Sequence, residues 1–233
     1  MIGDTPVATR YTREFVERSL PPGATAILEI GCGTGELAAA LGERGLQVLA
    51  IDSDGRCVET AKARGIDARV AEWPTPLDRR FDAVLFTRSL HHIHDLDGAV
   101  AAAVKALNPG GRIIVEDFRA EGAEERSRRW AKGLIDILGA ARAYQSDEAA
   151  AWLRDKIGPS NGHGHELHSS RAIADALNAY GEIESEVAAY YFRYFEPELS
   201  GNATEAVLRA ELDLIAASAI DALGRRFVLT PRS

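Results

Sequence analysis

The segment Glu29-Ile30-Gly31-Cys32-Gly33-Thr34-Gly35 sets three glycines within five residues, directly after the apolar run Ala26–Ile30. Without a Cβ, such a loop can turn sharply and bring its backbone against a ligand. Which ligand depends on the spacing. A dinucleotide loop, G-x-G-x-x-G, needs a small third residue where this chain has Glu36, an anion facing a pyrophosphate. A P-loop needs Gly-Lys followed by Ser or Thr, which is absent. What stands is acidic-x-G-x-G-x-G with Glu29 closing the run, and a carboxylate there suits a cation better than a diphosphate. Asp52 ends a second apolar run, Val48–Ile51, about twenty residues past Gly31, with Ser53 next. A carboxylate at such a position can accept hydrogen bonds from a ligand; the alternative is a cap on the helix that follows.

Two groups of histidines offer further chemistry. His91, His92 and His94 follow the apolar run Phe81–Phe86. An imidazole there can take a proton from an oxygen or nitrogen nucleophile, because it titrates near neutrality. The alternative for all three is positioning or helix entry. His163, His165 and His168 stand with Glu166 in a glycine-flanked stretch, at spacings that could gather imidazoles around a metal or line a pocket. With no Cys or Asp nearby, a metal is not expected; the trio is assigned to substrate-pocket lining, and the alternative is that these histidines simply face water.

ILEIGCGTG resembles the first motif of class I S-adenosylmethionine (SAM)-dependent methyltransferases, the broad group that includes the ubiquinone and menaquinone methyltransferases. The resemblance implies that Gly31, Cys32, Gly33 and Gly35 hold the methionine part of SAM with Glu29 beneath, that Asp52 takes the ribose, and that Ser53 lies beside the adenine. Val70-Ala71-Glu72-Trp73 falls where the family usually has an Asp followed by a small or apolar residue, so Glu72 and Trp73 are assigned to the adenine despite both departures. FDAVLFTRSLHHI resembles the fourth-strand segment, adding Thr87 to the cofactor set, and LNPGGRIIVEDF resembles the approach to the fifth strand. Tyr11 is assigned to an N-terminal helix over the cofactor. The likeness covers residues 26–118. It implies methyl transfer from SAM to a small-molecule acceptor, releasing S-adenosylhomocysteine (SAH), with His91 and His92 as catalytic candidates and His163, His165 and His168 around the acceptor. Two rival readings are a non-catalytic SAM-binding regulator and an NAD-dependent oxidoreductase; Glu36 argues against the second.

These residues must be held by a scaffold that the alternation of apolar runs and helical spacing describes. Strand-like Ala26–Ile30, Val48–Ile51, Ala68–Ala71, Phe81–Phe86 and Arg112–Glu116 are separated by helical stretches, including Glu36–Glu43, Val58–Arg64 and Gly98–Leu107. That order argues βαβ units and a doubly wound α/β fold, with ligands at the strand C-termini. The family adds the detail of a mostly parallel seven-stranded sheet ending in an antiparallel pair. Beyond it the sequence predicts helices over Ala123–Leu138 and Ala149–Ile157, a helix capped by Ser170, an aromatic strand Val187–Phe195, a helix Thr204–Leu223 and a strand Arg226–Thr230. The expected organisation is a single domain over 1–233: a SAM-binding core at 26–118, a helical insertion at 119–168 and C-terminal helices and strands at 169–233.

With 233 residues, 46% of them apolar and 27% charged, the chain can bury a full core. A formal charge of −8 repels phosphate backbones and argues against nucleic acid as a main partner. Two cysteines, Cys32 and Cys57, suit a reducing compartment, and the first ten residues carry no apolar signal core. No uncharged apolar run approaches membrane-spanning length. The expectation is a cytoplasmic enzyme of small molecules.

Overall fold

The computed structural model describes residues 5–119, 124–157 and 167–232. Helix α1 (Val7–Ser19) precedes β1 (Ala26–Ile30), α2 (Glu36–Gly42), β2 (Gln47–Asp52), α3 (Gly55–Ala63), β3 (Asp67–Val70) and β4 (Phe81–Thr87). After a 3-10 turn at Leu90–His92 come α4 (Leu96–Lys105) and β5 (Leu107–Phe118). The rest comprises α5 (Glu125–Ala140), α6 (Ala149–Lys156), α7 (Ser170–Asn178), β6 (Gly181–Ala188), α8 (Phe192–Phe195), α9 (Gly201–Ala216) and β7 (Gly224–Pro231).

Seven strands form one sheet in the order β3-β2-β1-β4-β5-β7-β6. β1 pairs in parallel with β2 and β4, β2 with β3, and β4 with β5. Gly181 lies against Thr230 and Gly224 against Ala188, so β6 and β7 run antiparallel. The chain winds outward from β1 to β3 and then returns to place β4 on β1's other side. The crevice at that reversal is where ligands bind in such sheets.

The described residues divide into two compact units. The first takes 9–117, 168–186 and 226–232 and contains most of the sheet. Its strands are apolar on both faces because helices cover both. Leu28, Ile30, Leu49, Ile51, Val84, Phe86, Ile113 and Val115 pack with α4 and α7, whereas Ile27, Ala83, Leu85 and Ile114 pack with α1 and α2. α3 closes on Ala50 and Ala68 through Val58 and Ala61.

The second unit takes the described residues up to 8, 118–119, 124–157, 167 and 187–225, so the described part of the expected insertion at 119–168, His168 excepted, shares a compact body with 187–225. Here the aromatic strand expected over Val187–Phe195 is corrected: β6 stops at Ala188 and the chain turns into α8. The cause is Glu211 on α9, fully buried, whose carboxylate accepts N–H groups from Tyr190 and Tyr191 at 2.7 and 3.0 Å and from Phe192 at 3.0 Å. A carboxylate that collects three successive amides withdraws them from a strand ladder and caps a helical turn. Two boundaries also shift. α9 ends at Ala216 rather than 223, and Ser169, accepting the Ala172 N–H at 3.1 Å, caps α7 in place of Ser170.

Candidate cofactor cleft

The C-terminal ends of β1, β2, β3 and β4 border a cleft of about 740 Å³, within the range that holds small ligands. Its walls bring together Ile30 and Gly31, Asp52 and Ser53, Glu72 and Trp73, and the stretch after β4 with Arg88, Ser89, His92 and His94. Of the glycine loop, Gly31 lies on the cleft wall, whereas Cys32, Gly33 and Gly35, and Glu29 before them, are not among the lining residues. Gly31 sits at φ +74°, and a Cβ there would collide with the Ser89 side chain, whose hydroxyl donates to the Ile30 carbonyl at 2.6 Å. Gly35 packs so closely on α3 that a Cβ would lie 2.8 Å from that of Ala61. Around Gly33 nothing lies within 4 Å of such a Cβ, so this side of the loop is open.

Beneath the loop, Glu29 is 1% exposed. Its Oε1 accepts only a long hydrogen bond from the Thr87 hydroxyl, 3.4 Å, and its Oε2 has no partner among the described residues. Burial pushes this carboxyl up to about 8, against the opposing pull of the Arg88 charge. An orphaned acid of this kind is stabilised by an arriving cation. Thr87 thus supports Glu29 from within the core and does not line the cleft. The Cys32 thiol, buried and beside Glu29 and Asp52, is pushed up to about 12 and is no nucleophile.

Asp52 accepts the Gly33 N–H at 2.8 Å on Oδ2 and the Asp54 N–H at 2.9 Å on Oδ1. The helix cap is Asp54, which accepts the Arg56 N–H, so Asp52 is not spent on capping α3. Each Asp52 oxygen retains a lone pair for a ligand hydroxyl. Glu72 is exposed on the cleft wall. Trp73 is both wall and core, 9% exposed among core side chains, with its indole N–H donating to the Ala99 carbonyl at 3.0 Å. Tyr11 is not among the lining residues; its ring stacks under the Arg226 guanidinium, 4.1 Å away.

The histidines separate into distinct places. His91 is 3% exposed, with Nδ1 2.7 Å from Oδ1 of the fully buried Asp117, while its ring lies against that of His92, centroids 4.0 Å apart and planes tilted by 44°. His92 and His94 line the cleft. His168 holds the same turn from α7's approach: its N–H donates to the His91 carbonyl at 3.2 Å and Nε2 lies 2.9 Å from the Ile93 carbonyl. His163 and His165 lie outside the described residues. Among the described residues no three His, Cys, Asp or Glu side chains are grouped to hold a metal. Arg88 and Ser89 are the cleft residues that sequence reasoning missed. Both lie inside the quoted segment FDAVLFTRSLHHI, but the resemblance gave neither of them a role of its own.

A family model described as "Methyltransferase domain" matches residues 7–181. The ubiquinone biosynthesis O-methyltransferase of Xylella fastidiosa is 29% identical over 163 residues, which are 60% of this chain and 63% of that protein. An uncharacterised methyltransferase of Mycobacterium tuberculosis is 33% identical over 113 residues, 45% of this chain and 56% of that protein. Among solved structures, a SAM-dependent methyltransferase of Thermotoga maritima, described as a possible histamine N-methyltransferase, aligns over 96% of this chain and 89% of its own with a TM-score of 0.58 at 16% identity. The plantazolicin methyltransferase in complex with SAH aligns over 98% and 86%, also at a TM-score of 0.58, with 15% identity. At those identities the two structures establish the shared fold.

Proposed function

Because the chain belongs to the methyltransferase-domain family, we propose that it binds SAM in the β1–β4 cleft and transfers the methyl group to a small-molecule acceptor. The observation that carries the reading is Glu29, a buried carboxyl with an unpartnered oxygen under an open glycine loop. A ligand with a positive charge at one end and a ribose near the other meets Glu29 and Asp52 together. Glu72 and Trp73 then flank the base. SAM supplies a methyl group already activated on a sulfonium, so alignment and exclusion of water are the main tasks left to the protein.

A hydroxyl or amine acceptor carries a proton that must leave. His92 borders the cleft and is the first candidate to take it; His91 lies behind, its Nδ1 held by Asp117. If an imidazole is the base, His92→Ala or His91→Ala lowers turnover about 10²–10⁴-fold with SAH affinity nearly unchanged. The name of the Xylella relative makes oxygen acceptors the first to screen.

The cofactor test comes before the acceptor. In protein stripped of ligand, SAM or SAH at a hundred times its dissociation constant raises stability by about 2.7 kcal/mol, and NAD does not. A melting temperature unmoved by SAM and SAH overturns the reading. SAM-dependent turnover in a metabolite screen then separates an enzyme from a SAM-binding regulator.

A further inference from the structure

Arg88 follows β4 with φ at +62°, a left-handed backbone that a long side chain seldom adopts. Its N–H donates to the Glu116 carbonyl at 2.7 Å, which ties the turn to β5. The result is a guanidinium on the cleft wall whose side chain is 35% exposed. Nη1 donates to Glu116 Oε1 at 3.1 Å and approaches the Thr12 hydroxyl at 3.4 Å. No described hydrogen bond uses Nη2 or Nε.

The surroundings leave that charge available. Glu116 is 2% exposed and already takes Arg226 Nε at 2.7 Å and Nη2 at 2.6 Å, along with the Thr12 hydroxyl at 2.6 Å. Arg226 also meets Glu186 at 3.2 Å, but Glu186 is shared with Arg18, so three guanidinium groups divide two carboxylates and a positive charge is left over. The other charged residues on the cleft wall are Asp52, Glu72 and Asp95, all acidic, so Arg88 is its one guanidinium or ammonium among the described residues. A dianion such as phosphate would meet those three carboxylates. A single carboxylate with a cationic neighbour would meet Arg88 on one side and Glu29 on the other. An α-amino acid end has that charge pattern, and the open edge of a guanidinium suits a carboxylate.

We propose that Arg88 is the residue that recognises the α-carboxylate of the cofactor's amino-acid end, with the left-handed turn after β4 and the Glu116 brace fixing the guanidinium for that contact. The inference rests on the cofactor reading above and extends it to one charged group of the ligand.

The test compares SAH with its decarboxylated analogue, S-adenosyl-3-thiopropylamine, by calorimetric titration. Wild-type protein should prefer SAH at least tenfold. Arg88→Met should weaken SAH ten- to a hundredfold and leave the analogue within about threefold of wild type, so that the preference disappears. Arg88→Lys should recover part of it. Equal affinity of wild type for the two ligands overturns the proposal without touching the cofactor reading, and needs no variant to fold. So does an equal loss of both ligands in folded Arg88→Met, which would mean that Arg88 shapes the cleft. Failure of wild type to bind either ligand overturns the cofactor reading itself.

Discussion

Glu29 and Asp52 are acids of opposite habit in one cleft. Asp52 is a partly exposed carboxylate fastened by two amides, and Glu29 is a buried acid with almost no support. Removing Asp52 takes away ligand hydrogen bonds to a charged group, each about 1.5–3 kcal/mol, so Asp52→Ala should weaken SAH about a hundredfold or more in calorimetry. Glu29 couples binding to pH. Its carboxyl rises from 4.5 in the unfolded chain to about 8 in the fold. The stability this proton provides is complete below pH 4.5 and is lost as pH climbs through 8. A ligand ammonium favours the ionised form, so at pH 7 each SAH bound should release close to one proton. Titrations in buffers of different ionisation enthalpy measure that number, and Glu29→Gln should bring it to zero. The acidic-x-G-x-G-x-G spacing and the acids Glu29 and Asp52 were legible because each belongs to a short contiguous stretch at the end of an apolar run. Arg88 was not, since its meaning depends on Glu116 and Arg226, which lie 28 and 138 positions away along the chain.

The elements repeat this division between local and distant causes. The first five strands could be read from their apolar runs, because both faces of a parallel sheet are covered and most of its central positions are apolar. The run 187–195 looked like another and was not. The decisive residue, Glu211, is on a helix nineteen positions beyond Phe192. Glu211→Ala should expose that dependence: it leaves three buried amides without an acceptor and should lower stability by about 2–4 kcal/mol in a denaturant titration. Burial raises the Glu211 carboxyl even against those amides, so the same region loosens as pH rises rather than as it falls. The turn Leu90–His92 is likewise held from elsewhere, by Asp117 from β5 and His168 ahead of α7. Asp117→Ala should therefore cost about 3 kcal/mol, because it strands the buried His91 ring, and should also reduce turnover. Asp117→Asn, which keeps the shape, separates the two effects if stability recovers and turnover does not.

For the chain as a whole, the family model matches residues 7–181, and residues 26–118 carried nearly all of the recognisable motifs. The remainder was obscure in sequence because acceptor surfaces answer to the shape of one substrate and follow no shared spacing. The sheet-bearing unit is also scattered: it is completed by 168–186 and by 226–232, long after 117. Arg226 is its latest strong tie, 3% exposed and gripping Glu116 across 110 residues of sequence. Arg226→Met should destabilise the protein by about 3 kcal/mol, since the buried Glu116 loses one of its two cations.

That separation sets an order of events during synthesis. At about 5–20 residues per second, Glu116 leaves the ribosome some 5–20 s before Arg226 does. Through that interval β1 to β5 have been made, with the β5 edge still lacking β7 and Glu116 still lacking its second cation. An unpaired strand edge of that kind is what chaperones bind. Cofactor present during translation would act on the same intermediate, since the glycine loop, Asp52, Trp73 and Arg88 have all been made by then. A pulse of synthesis with and without SAH, followed by brief proteolysis of stalled chains ending near residue 150, would show whether the ligand protects the half-built sheet before its last strand exists.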